Sequence, residues 1–142
     1  MSLGEIIFQV LVYALAVIVP IWALVAGGPA ERLSALIFII TTPASLIVQQ
    51  VFPLRHAGTI FLAIDGLMAL GFLVLALVYR HLWIALMMFT MAGFFSIHAF
   101  YEMTDRDLDP AFAVLSNLAT LVLLTSLSIG VWTSRRRAPE QA

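Results

Sequence analysis

An all-α transmembrane bundle is the fold this sequence predicts, and three observations carry that expectation. Of 142 residues, 63% are hydrophobic and 11% charged, whereas soluble domains average near half and near a quarter. A soluble domain of this length would lack the polar surface to cover such a core. The apolar residues fall into runs near the ~20 residues that cross a bilayer, and short polar connections separate them. Cysteine is absent, which excludes a disulfide framework, a thiol nucleophile and a thiolate metal site. The net charge is −1 and all seven basic residues are Arg, which excludes a nucleic-acid binder.

Five segments follow in order, within a single helical domain over 1–142. The first, 6–26, contains no charge and ends at Gly27-Gly28-Pro29, with Glu31 and Arg32 beyond. Glu5 stands where a cleavable signal would be basic, so this segment is expected to remain as a span. The second, 33–52, holds Thr41-Thr42-Pro43 at its middle and Gln49-Gln50 near its end. Pro43 removes a backbone hydrogen bond, so this segment is either a kinked span or a re-entrant one. The third, 58–79, carries Asp65, and only Arg80 and His81 separate it from the fourth, 82–101. A polar loop from Glu102 to Pro110 precedes the fifth, 111–133, and a short tail closes the chain. Connections this short predict antiparallel neighbours.

Arginine placement sets the orientation. With Arg135, Arg136 and Arg137 in the cytoplasm, five alternating spans put Arg32 and Arg80 inside as well, and leave Arg55 and Arg106 outside. This is the asymmetry of the positive-inside rule, with the amino terminus outside. Trp22, Tyr79, Trp83 and Trp132 then fall at the inner interface, where amphipathic rings settle.

That topology gathers intramembrane polar side chains into the outer half. Asp65, seven residues past Gly58, lies ~10 Å below the boundary. His98 sits about one turn below Glu102, and the two share a helix face at a spacing of four. Gln9, Gln49, Gln50 and Asn117 belong to the same half, with Arg55 and His56 in the loop above. The inner half has almost no ionisable group between Arg80 and the tail. A carboxylate in hydrocarbon must find a partner, a proton or a cation, so Asp65 is either a coupling group or a structural carboxylate held by Arg55, His98 or an amide. His56, His98 and Glu102 form a mixed imidazole and carboxylate set for a divalent metal. His98 and His56 are alternatively axial ligands for a b-type haem. Met68, Met87 and Met91 are soft enough for copper(I), and equally suited to filling core gaps. None of these spacings is a specific motif, and neither haem nor metal is favoured.

The order of Gly27-Gly28-Pro29-Ala30-Glu31-Arg32, Asp65, Arg80 to Trp83, His98 and the basic tail resembles that of small, uncharacterised polytopic proteins of bacterial inner membranes. The resemblance implies that location and fold, and no activity. The sequence reading is therefore a non-enzymatic accessory, assembly or binding component with an outer polar cluster, and no catalytic residue is assigned. Its partners are the bilayer and either a larger membrane complex or further copies of itself. A haem or metal redox protein and a proton-coupled transporter using Asp65 are the alternatives.

Overall fold

The computed structural model describes residues 3–51, 54–106 and 109–137. Among them are five helices, α1 (Leu3–Ala26), α2 (Pro29–Val51), α3 (Leu54–Tyr79), α4 (Leu82–Met103) and α5 (Pro110–Arg137), joined by short turns. Four stretches, Ile7–Ala26, Gly58–Tyr79, Leu82–Met103 and Pro110–Arg136, are long and apolar enough to cross a membrane. This is the character of an integral membrane protein. The second helix has comparable length, 23 residues, and runs unbroken through Pro43.

Local chemistry sets the helix ends, and three of them depart most from the sequence expectation. Helix α2 begins at Pro29 rather than beyond Arg32. Proline is preorganised for the first helical position and loses no hydrogen bond there, and Glu31 in the first turn complements the helix dipole. Helix α3 begins at Leu54, so the backbone of Arg55 and His56 is helical and not part of a loop. Helix α5 continues to Arg137, which puts the basic tail on its last turns. There the Arg136 guanidinium lies 3.9 Å from the centre of the Trp132 ring.

Two turns place non-glycine residues in the left-handed region, Arg80 (φ 52°) after α3 and Asp105 (φ 48°) after α4. Both follow a helix carboxyl end, where that conformation stops the helix. At the start of α5, Asp109 Oδ1 accepts the Phe112 backbone N–H at 2.9 Å and the Tyr101 hydroxyl at 3.1 Å. Arg106 reaches the other Asp109 oxygen at 3.5 Å. Accepting the Phe112 N–H is the main reason the Asp109 carboxyl lies below the ordinary aspartate range, with Tyr101 and Arg106 adding to it.

Each helix packs on its neighbours in the chain, α5 closes back on α1, and α2 also meets α5. Inside this ring Ala23, Phe72, Ile84, Met87, Leu127 and Val131 are completely buried. Met68, Met87 and Met91 all belong to this core. Trp83, expected at the inner interface, is buried instead, because Gly130 leaves room for its indole. A Cβ at Gly130 would stand 2.7 Å from Trp83 Cε2. Outward-facing positions such as Val25, Leu67, Leu77 and Phe89 are apolar and exposed.

Candidate functional site

All five helices contribute to a central cavity of about 230 Å³. Helix α1 supplies Tyr13, α2 Thr41, Thr42 and Ser45, α3 Asp65, and α5 Ser116, Asn117 and Thr120. Two of these hydroxyls turn back to their own helix: Thr41 donates to the Ile37 carbonyl at 2.7 Å and Thr120 to the Ser116 carbonyl at 2.9 Å. Such back-bonding satisfies a hydroxyl at membrane depth without a second helix. The apolar part of the lining is Phe38, Met68, Met91, Phe94 and Leu123.

Asp65 is the lining carboxylate, and its partner stands behind the wall. Nδ1 of His98 donates to Asp65 Oδ2 at 2.7 Å. The His98 side chain is 2% exposed and that of Asp65 17%. Nε2 of His98 is buried and has no hydrogen-bond partner among the described residues. The imidazole lies edge-on to Phe112, ring centres 5.0 Å apart, and 6.2 Å from Phe94. Aromatic packing on one side and a carboxylate on the other fix its orientation, as second partners do for functional histidines.

The structure thus brings Asp65 and His98 together, and puts Asn117 on the same cavity as Asp65. Gln9 stands at the margin, its amide 3.5 Å from the hydroxyl of Tyr13, which does line the cavity. Glu102 is not the partner of His98: it accepts the Thr59 hydroxyl at 2.6 Å and lies against Gly58. The shared face is real, but Glu102 belongs to the exposed end of α4, where α3 offers a hydroxyl. The side chains of Gln49, Gln50, Arg55 and His56 lie outside the described residues. Among the described residues no group of three or more His, Asp or Glu is placed to hold a metal ion.

Sequence reasoning missed a second polar region at the other end of the bundle. That end contains a cavity of about 630 Å³ lined by Glu31, Tyr79, His81, Ser126 and Ser134, among others. Placing Glu31 in a loop hid this region, since a loop carboxylate would be solvated. The available signal was Pro29 followed by Glu31, an N-terminal proline and an acidic first turn. Comparisons with known proteins add nothing to these observations: no family model, no curated protein and no solved structure matches the chain.

Proposed function

We propose that the chain is a non-enzymatic binding component of a bacterial inner membrane. In this reading its central cavity takes a small polar or cationic ligand against Asp65. One observation carries the reading: a carboxylate held by a buried imidazole lines a cavity to which every helix contributes. A carboxylate that served structure alone would not need hydroxyls from α2 and α5 and the amide of Asn117 gathered around the space in front of it. Ligand sites have this character, a largely apolar wall with a few convergent polar groups.

In the proposed topology α2 also spans, neighbouring helices alternate in direction, and Pro43 bends α2. The amino terminus is outside and the basic carboxyl end cytoplasmic. Support comes from the arginine asymmetry and from Thr59 near the start of α3 meeting Glu102 near the end of α4. The apolar perimeter faces lipid, a larger membrane complex or further copies of the chain.

The absence of cysteine makes a direct test clean. Single cysteines at Ser116, on the cavity, and at Leu118, exposed on the perimeter, are treated with a charged thiol reagent added outside intact cells. A watered cavity ionises its thiol and labels, while the lipid-facing position does not. Equal labelling at both, or none at Ser116, overturns the reading.

Proton-coupled transport is the second reading, and the 2.7 Å contact between Nδ1 and Oδ2 favours it, since such a pair can hold a transferable proton. Substrate-driven acidification of proteoliposomes, lost in Asp65→Asn, would establish it. The haem and metal readings gain less support. His98 Nδ1 is already engaged, Nε2 is buried, and Glu102 turns to Thr59.

A further inference from the structure

The larger cavity has a feature that neither the fold nor the proposed central site uses. Glu31 is 5% exposed and lines the cavity. Among the described residues it makes no hydrogen bond or ion pair. A buried carboxylate is retained where something pairs with it. The N-terminal end of α2 offsets part of the cost, but it supplies neither a full charge nor donors aimed from the cavity. Among the described arginine side chains at that end, Arg32, Arg80 and Arg135 are exposed, Arg136 covers Trp132, and none pairs with Glu31.

Space for a partner is built in. The cavity is about 630 Å³, and Gly28 lies at its edge, where a Cβ would stand 3.0 Å from Glu31 Oε2 and 3.2 Å from Ser134 Oγ. Trp83 and Tyr79 line the same cavity, together with the hydroxyls of Ser126 and Thr133. A carboxylate, hydroxyls and aromatic rings are the groups that hold an organic ammonium: the oxygens accept its N–H bonds and the rings favour its charge. A bare divalent metal would need more carboxylate or imidazole ligands than this cavity offers.

We propose that this cavity binds a primary ammonium group against Glu31. The group is carried by an ethanolamine-type lipid headgroup or by a soluble phosphorylated amine. The exposed arginines near that end, Arg32, Arg80 and Arg135, would meet the accompanying phosphate. A trimethylated ammonium fits the aromatic rings but has no N–H to give Glu31, so ethanolamine is selected over choline.

The test uses the full chain in detergent with Trp22→Phe and Trp132→Phe, leaving Trp83 as the reporting indole. Short-chain phosphatidylethanolamine, phosphatidylcholine, free phosphoethanolamine and free phosphocholine are titrated separately. The proposal expects a saturable change in Trp83 emission with an ethanolamine probe. It also expects affinity at least tenfold weaker for the choline counterpart and for Glu31→Gln. A response to the lipid alone identifies the membrane as the source, and a response to phosphoethanolamine as well identifies a soluble amine as sufficient. Ser134→Leu, which narrows the cavity with Glu31 intact, should weaken binding similarly and decides the matter if Glu31→Gln loses its helicity. No saturable response to either ethanolamine probe overturns the proposal. So does unchanged affinity in a folded Glu31→Gln, or, where that variant does not fold, in Ser134→Leu.

Discussion

The contact between Asp65 and His98 makes a quantitative prediction that separates a working pair from a coincidence of position. A charge-assisted hydrogen bond contributes about 1.5–3 kcal/mol in proteins. Interhelical polar contacts in membranes measured by double-mutant cycles average about 0.6 and reach about 1.7 kcal/mol, because partners are also found in the unfolded state. The local burial decides where in that span the pair falls. Asp65 is 17% exposed, so water compensates it in part when the imidazole is removed. His98 is 2% exposed and one of its nitrogens has no partner among the described residues, so burial leaves the ring uncompensated when the carboxylate is removed. A coupling near the membrane maximum follows, about 1.5 kcal/mol. Asp65→Ala, His98→Ala and the double variant are unfolded in mixed micelles by increasing SDS, with helicity as the readout. The cycle cancels the cavity left by the missing imidazole, provided the two sites do not rearrange separately. A coupling below about 0.5 kcal/mol would refute the argument, since values that small are indistinguishable from non-interacting sites.

Three further outcomes follow from the packing and the turns. Gly130→Ala pushes a methyl to 2.7 Å from a buried indole, and should cost about 1–3 kcal/mol with a shift in tryptophan emission; an unshifted melt and spectrum would contradict the close approach. Arg80→Gly relieves a left-handed backbone at φ 52° and should raise stability by up to about 1–2 kcal/mol, read from the thermal midpoint in detergent. The Asp109 carboxyl is held below its ordinary value of about 3.9 chiefly by the Phe112 N–H. It therefore adds stability above that value and loses it as pH falls through the lower folded value. The stability difference between wild type and Asp109→Asn should shrink as melts are taken from pH 6 towards pH 3, and a constant difference would show that the carboxylate charge is not involved.

Most of the fold is legible because hydrocarbon leaves so few options. Backbone polar groups at membrane depth must be satisfied within the segment, so a run such as Ile7–Ala26 has little choice but helix. Helix ends are less legible, since they depend on single residues that average hydropathy ignores. Pro29 adds a turn containing two charges to α2, and Leu54 extends α3 upstream of Gly58. The meeting of Asp65 and His98 follows from depth, because both lie a short way inside the same end of adjoining helices. Which carboxylate His98 selects does not follow from spacing. Glu102 shares its face, yet the side chain at Asp65 comes from the facing helix, while Thr59 draws Glu102 away. The buried Glu31 is illegible for a related reason: a charge next to a Gly-Gly-Pro breaker reads as solvated, and only Trp83 seated against Gly130 and α5 running on past Thr133 show that end to be walled.

Two polar cavities at different levels of one bundle invite a transport pathway, and the layer between them argues against it. Passing along α3 from Asp65 to Tyr79, the chain presents Phe72 to the interior; α4 presents Met87 between Leu86 and Met91, and α5 presents Leu124 between Leu123 and Ser126. All three are buried. Close-packed interiors are not continuously deformable, so a solute could cross only if the helices separated as bodies. A proton needs less space but requires hydrogen-bonded neighbours roughly 2.7–3 Å apart. On α2 the hydroxyl of Ser34 lies between the two levels, buried and without a partner among the described residues, and the Ser126 hydroxyl is spent on the Val122 carbonyl at 2.7 Å. A lone hydroxyl is no wire. The same layer that impedes movement holds the two cavities in fixed form, and a preformed site is what a binding protein gains from rigidity.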